Sequence, residues 1–125
     1  TLEKFDEFAD IAEKNFKLNN FSNINLIRGD ANKQSKTLKN KFDFIFLDGN
    51  KENYLNLFKI TIKKMNKKGI YIVDNIFNQG DSLNKKAKTN KGEGVKKLLK
   101  YIQSKKNLTC TLLPIYDGLL IIKKN

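Results

Sequence analysis

The sequence predicts an α/β fold: a mostly parallel sheet with an antiparallel strand added by a carboxyl-terminal hairpin. Three observations predict it. Phe42 to Leu47 reads Phe-Asp-Phe-Ile-Phe-Leu and stops at Asp48-Gly49-Asn50, and Ile70 to Val73 is a second short apolar run that stops at Asp74-Asn75. Nearly continuous runs of this length are how strands buried on both faces of a parallel sheet read. Segments of helical periodicity alternate with these strands, which implies right-handed crossovers. Finally, Asp117-Gly118 lies between the apolar stretches Leu108–Ile115 and Leu119–Lys123, the signature of a two-residue hairpin turn.

The remaining elements follow in order. Thr1-Leu2-Glu3 reads as the tail of a strand. Asp6 can cap a helix running to about Leu18, with Phe8, Ile11, Ala12 and Phe16 on one face, and Asn19-Asn20 ends it. Ile24 to Ile27 is a short strand closed by Arg28-Gly29-Asp30, and Lys33 to Asn40 is a loop or a weak helix. A helix from about Glu52 to Met65 turns Tyr54, Leu55, Phe58 and Ile62 inward, and Gly69 breaks that helix after a lysine-rich cap. Gln79 to Gly94 is polar, lysine-rich and glycine-containing, as a long mobile loop would be, and a helix spans about Val95 to Ser104. No internal repeat is present, so residues 1–125 are expected to form one domain.

Composition narrows the chemistry. No apolar run approaches the roughly 20 residues of a membrane helix, and no signal-peptide pattern opens the chain. With Cys110 the single cysteine, a disulfide framework is excluded and a reducing cytoplasm fits. Histidine is absent, which excludes Ser-His and Cys-His catalysis and histidine zinc sites. A metal would have to be held by oxygen, which suits Mg²⁺, Ca²⁺ or Mn²⁺. The net charge of +12 suits an anionic partner such as RNA. It also suits plain composition, since Arg28 is the only arginine and sequence-specific nucleic-acid contacts lean on arginine forks.

Asp48 follows one buried strand and Asp74-Asn75 follows the next. Neighbouring strands lie about 4.8 Å apart, and open parallel sheets bind ligands outside their carboxyl ends. Two carboxylates and an amide oxygen could then converge on one hard cation. Asp and Asn also favour the turns that follow strands, so spacing alone leaves both readings open.

At these residues the chain resembles the divalent-metal-dependent O-methyltransferases of the catechol and caffeoyl-coenzyme-A type. The resemblance is carried by Phe42 to Tyr54, by Gly-Ile-Tyr-Ile-Val-Asp-Asn at Gly69 to Asn75, and by Leu-Leu-Pro-Ile-Tyr-Asp-Gly-Leu at Leu112 to Leu119. Thr1-Leu-Glu3 and Gly29-Asp30-Ala31 are similar to two of that family's cofactor motifs. The resemblance implies a Rossmann-like class I methyltransferase fold using S-adenosylmethionine. It implies Asp48, Asp74 and Asn75 as metal ligands, and Lys51 as the base that takes the hydroxyl proton. Glu3 would accept hydrogen bonds from the cofactor ribose, Asp30 and Ala31 would border the adenine, and Asp48 would also face the cofactor's amino-acid portion. The implied substrate is a small hydroxylated aromatic or similar diol. The alternatives are a hydroxylated uridine in tRNA, with Lys85 to Lys106 against phosphates, and a non-catalytic basic fragment. A homodimer is a further expectation.

The chain departs from that family in one respect. The first strand and the glycine-rich loop after it have no counterpart here, and Gly92-Glu93-Gly94 lies in the wrong context to replace them. That strand lies mid-sheet, so two strands are expected to keep unpaired edges. These 125 residues alone are therefore expected to bind S-adenosylmethionine weakly or not at all. Calorimetry checks this, and a micromolar dissociation constant would overturn it.

Overall fold

The computed structural model describes residues 1–125. Six strands and four α-helices form: β1 (Leu2–Glu3), α1 (Asp6–Leu18), β2 (Ile27–Arg28), α2 (Ala31–Thr37), β3 (Phe42–Leu47), α3 (Tyr54–Thr61), β4 (Met65–Val73), α4 (Asn90–Gln103), β5 (Leu108–Leu113) and β6 (Leu119–Lys124). They fall into two compact units, Thr1–Leu38 and Lys39–Asn125.

In the first unit β1 and β2 pair in parallel, Leu2 opposite Ile27 and Glu3 opposite Arg28. The expected strand from Ile24 shortens to two residues because its partner offers only two. Helix α1 starts at Asp6 rather than being capped by it. Phe5 holds the cap position without a side-chain bond, while Asp6 and Glu7 sit in the first turn, where they complement the helix dipole. Phe8 and Ile11 are 55% and 53% exposed, against the expectation of an inward face. Two-residue strands present too little surface to cover that stripe. Arg28 reaches Asp10 at 2.7 Å and Glu13 at 3.0 Å, tying β2 to α1. Residues 31–37, open between loop and helix on sequence, are helical. Asp30 caps them, its Oδ1 accepting from the Asn32 N–H at 2.8 Å.

The second unit is a four-stranded sheet in the order β3-β4-β6-β5. β3 and β4 are parallel, with Phe44 to Leu47 opposite Ile70 to Val73. β6 is antiparallel to both of its neighbours, β4 and β5. This is the expected parallel pair with an antiparallel hairpin. β3 pairs on one side only, and Phe44 and Phe46 are 56% and 51% exposed. The expectation of burial on both faces therefore fails for this strand. β4 runs through Gly69 rather than starting after it. A Cβ there would lie 2.7 Å from Met65 Cγ and 3.0 Å from Asp43 O, so the glycine permits strand contact instead of breaking it.

Helix α3 lies between single 3₁₀ turns at Lys51–Asn53 and Ile62–Lys64. Its buried residues are Tyr54, Leu57 and Phe58, with Leu55 and Ile62 only half-buried. Phe58 meets Tyr71 of β4 edge-on at 5.0 Å, and the buried Tyr71 hydroxyl shares a 2.7 Å hydrogen bond with Thr61.

Two further expectations are corrected. Helix α4 begins at Asn90, not near Val95, because Thr89 caps it by accepting the Gly92 N–H at 3.0 Å. Gly92 and Gly94 are thus buried helix residues, not loop residues. The preceding segment is ordered around Asp81, which accepts from the Lys88 and Thr89 N–H groups at 2.8 and 3.0 Å and from the Thr89 hydroxyl at 2.7 Å. In the closing hairpin Leu113 pairs with Leu119, so residues 114–118 form the connection instead of a two-residue turn. Tyr116 and Gly118 take positive φ there.

Two outcomes are expected. In Gly94→Ala, the added methyl would sit 2.7 Å from Glu52 Cα and against the Lys51 carbonyl. Ala gains about 1 kcal/mol of helix propensity, but overpacking against rigid backbone costs about 1–3 kcal/mol. Urea unfolding should show net destabilisation, whereas Gly49→Ala, whose methyl meets only Leu57 Cδ1 at 3.5 Å, should be nearly neutral. Separately, the Lys88 N–H and the Thr89 hydroxyl hold the Asp81 carboxyl down at about 2, from its ordinary 3.8. A depressed carboxyl contributes stability above its unfolded value, and that contribution disappears as pH falls through the folded one. The protection of the Lys88 and Thr89 amides, each exchange rate taken against its intrinsic rate at the same pH, should be high at pH 5 and fall as pH approaches 2, while Asp81→Ala should show low protection at both.

Candidate active site

Asp48 and Asp74 leave the carboxyl ends of β3 and β4, whose last residues, Leu47 and Val73, are paired. The ladder continues one step further, as the Asp74 N–H donates to the Leu47 carbonyl at 3.0 Å. Both acids therefore stand at one tip of the parallel pair. Asn75 follows with φ +51°, a left-handed conformation that asparagine tolerates better than most residues. Its N–H donates to Asp74 Oδ1 at 2.7 Å, which fixes that carboxylate relative to the turn. Lys51, on the 3₁₀ turn before α3, donates to Asp48 Oδ1 at 3.3 Å, and its side chain is only 18% exposed. The structure thus brings Asp48, Lys51, Asp74 and Asn75 to one strand tip.

One further residue belongs here that sequence reasoning placed only on the helix face. The buried Tyr54 hydroxyl donates to the Asp74 carbonyl at 3.1 Å, and the Lys51 ammonium lies 5.5 Å from its ring. Burial first, then the charges of Asp48 and Asp74 and more weakly Asp117, push the Tyr54 phenol far above its ordinary value. Tyr54 therefore remains a neutral donor, a clamp rather than a base. Its signal in the sequence was its place at the end of the Asp48-to-Tyr54 motif.

Asp117, from the hairpin connection, closes the same region. Its carbonyl accepts the Phe77 N–H at 2.8 Å and its carboxylate accepts the Gln79 N–H at 2.6 Å, while Gly118 O accepts the Ile76 N–H at 3.0 Å. A Cβ on Gly118 would lie 2.7 Å from Ile76 Cγ2, so glycine is needed for this approach as well as for its φ of +79°.

The donor set suits a hard cation. Asp48 Oδ2, Asp74 Oδ2 and the Asn75 side-chain oxygen make no hydrogen bond, so each residue keeps an oxygen free. No cluster of three carboxylate, imidazole or thiolate groups exists. A cation here would have two acids, one amide and open positions, the composition that oxygen-seeking divalent ions accept.

The remaining predicted residues lie in the first unit. Glu3 ends β1, and its carbonyl accepts the Gly29 N–H at 2.8 Å. Asp30 caps α2, of which Ala31 is the first residue. The Asn32 N–H and side-chain amide hold the Asp30 carboxyl below its ordinary value, with Lys4 3.6 Å away. Glu3 and Asp30 thus stand at the same end of the two-stranded ladder. No helix is long and apolar enough to cross a membrane.

A family model described as O-methyltransferase matches residues 1–125. The chain is 30% identical over 87 residues to a probable caffeoyl-CoA O-methyltransferase 1 of Dictyostelium discoideum, covering 69% of this chain and 38% of that one. It superposes over its whole length on the SAH-bound Podospora anserina methyltransferase PaMTH1, with TM-score 0.90, 26% identity and 59% of that chain covered. An O-methyltransferase from Bacillus cereus in complex with SAH matches with TM-score 0.91 and 25% identity, with 61% of that chain covered. The chain thus spans under two-thirds of the length of each, and its fold is that of a Rossmann-like methyltransferase. On the family match over its full length, the chain belongs to the O-methyltransferase family.

Proposed function

We propose that this chain carries the catalytic strand tips of an S-adenosylmethionine-dependent O-methyltransferase acting on a hydroxyl of a small, catechol-like substrate. The observation that carries the reading is that Asp48, Asp74 and Asn75 all follow the paired carboxyl ends of β3 and β4. Both units are proposed to belong to one methyltransferase domain, since the family match runs across both.

In this reading Asp48, Asp74 and Asn75 hold a divalent cation, Mg²⁺ in the first instance. The cation would supply the positive charge that makes a poorly acidic hydroxyl easier to deprotonate. Lys51 would accept the hydroxyl proton at Nζ as the neutral amine, the form that a neighbouring divalent cation favours over the ammonium. Its 3.3 Å contact with Asp48 and its 18% exposure support the placement of Nζ beside the acids. Tyr54 and the Asn75 N–H fix Asp74 through its carbonyl and its carboxylate, so that the ligand set is preorganised before substrate arrives. Glu3 would accept hydrogen bonds from a ribose, and Asp30 and Ala31 would flank an adenine. The position of Glu3 and Asp30 at one end of β1-β2 supports this. What such residues contribute is mainly placement: a methyl donor and an oxygen held in line and in contact react as if at very high concentration.

The test uses full-length protein. Mg²⁺-dependent methyl transfer to a catechol should be lost on chelation. It should fall by about 100-fold or more in Asp74→Ala, since even outer-shell partners of metal sites cost 10–100-fold. S-adenosylmethionine affinity measured by calorimetry without metal should be unchanged in that variant. Equal methyl transfer by Asp74→Ala and the unaltered protein would remove the cation from the proposal.

A further inference from the structure

Charge in the second unit is divided between the two ends of its sheet. Because β3 and β4 are parallel and β6 runs against them, the starts of β3 and β4 and the finish of β6 meet at one rim, opposite the tip that carries Asp48 and Asp74. That rim collects lysines: Lys41 before β3, Lys63 before β4, Lys67 and Lys68 inside β4, and Lys123 and Lys124 at the end of β6. Lys67 and Lys68 are exposed because β4 bulges there. Phe42 and Phe44 are two residues apart on β3, but their partners Met65 and Ile70 are five apart on β4.

Two of these lysines are fixed by carbonyls of the same rim. Lys41 Nζ donates to Lys63 O at 2.6 Å, and Lys124 Nζ to Met65 O at 2.8 Å. None of the six pairs with a carboxylate; the ion pairs of this unit are Lys51–Asp48 and Lys97–Glu93. The acid at the rim, Asp43, is engaged by the Asn66 side-chain amide at 2.7 Å. Partial burial, then the charge of Lys41, lower the Lys124 pKa. A cluster that repels itself costs stability unless an anion completes it. The exposed large apolar residues of this unit are Phe44 and Phe46 on β3, Leu83, and Leu112, Ile115 and Tyr116 near the hairpin connection. None belongs to the rim, so it lacks the apolar side chains that would insert into a bilayer.

We infer that this lysine rim is a docking surface for the phosphate backbone of a nucleic acid, bound without sequence readout and separate from the strand tip at the other end of the sheet. Lysines spread over a bulge and a strand end suit a string of phosphates, each lysine serving as a point charge. Base-specific recognition is not expected, since the rim holds no arginine fork and no exposed aromatic.

The test is fluorescence anisotropy of a labelled 20-nucleotide single strand with the full-length protein. Binding should weaken with salt, with a log–log slope of about −0.7 for each phosphate contacted. Replacing Lys67, Lys68 and Lys123 by glutamine removes three exposed charges that make no hydrogen bond. Affinity should fall at least about 10-fold and the slope should shrink by about 2. Replacing Lys85, Lys86 and Lys91 by glutamine removes the same net charge elsewhere and should change affinity by less than about 2-fold. Circular dichroism and thermal unfolding verify that both variants fold. Equal losses in the two variants would reduce the effect to net charge and overturn the proposal. So would no binding at low salt, or tighter binding to phosphatidylserine vesicles than to the oligonucleotide.

Discussion

The parallel pairing of β3 with β4 is the constraint on which the site depends. A parallel ladder sets its strands in a fixed stagger, so once Phe44 lies opposite Ile70 the strand ends are determined. The Asp74 N–H then donates to Leu47 O, one step beyond the last paired residues. Two carboxylates that are 26 positions apart in sequence (74 − 48) become neighbours without a dedicated contact between them. A slip of one residue would send each side chain to the other face. The apolar residues of both strands resist that slip, because Leu47 and Val73 are buried just before the acids.

Support for that tip comes from segments distant in sequence. Helix α4 approaches the turn carrying Lys51 only because Gly94 has no side chain where the Lys51 carbonyl and Glu52 Cα lie. The hairpin connection is bonded to residues 76–79 through the Asp117 and Gly118 carbonyls and the Asp117 carboxylate. Asn75, Asn78 and Gln79 all take positive φ in this stretch. Left-handed residues cost free energy and persist only where the surroundings dictate them. Here the dictating contacts are those backbone hydrogen bonds, so the segment after the acids is held rather than loose.

How much of this was legible varies with the kind of signal. The ends of β3 and β4 were readable because an apolar run stopping at an acid marks both a strand and its carboxyl end. Helix α4 was half missed because Gly92 and Gly94 read as loop residues. Their role is close packing, against the Asp81 carboxylate and the backbone at Lys51, which no local pattern announces. The hairpin was read as a two-residue turn from Asp117-Gly118, yet those residues serve the neighbouring segment and the register places five residues in the connection. The exposed Phe44 and Phe46, and the exposed Phe8 and Ile11, share one cause: hydrophobic pattern reports what a face is suited to bury, not what lies against it. Tyr54 was seen as core, which it is, but the reach of its hydroxyl to the Asp74 carbonyl depends on tertiary placement alone.

Electrostatics supplies the last step. Asp48, Asp74 and Asp117 all bear on the buried phenol of Tyr54, and Lys51 is the cation paired among them. Concentrating like charges on a strand tip opposes folding unless something offsets it; here Lys51 pairs with Asp48, and backbone N–H groups donate to Asp74 and Asp117. A sequence selected for stability alone would place apolar or mixed-charge residues there. Departures from local stability of this kind are expected where a site needs charge of one sign. In the proposed reading, a hard cation taken up by the free carboxylate oxygens of Asp48 and Asp74 would offset that charge.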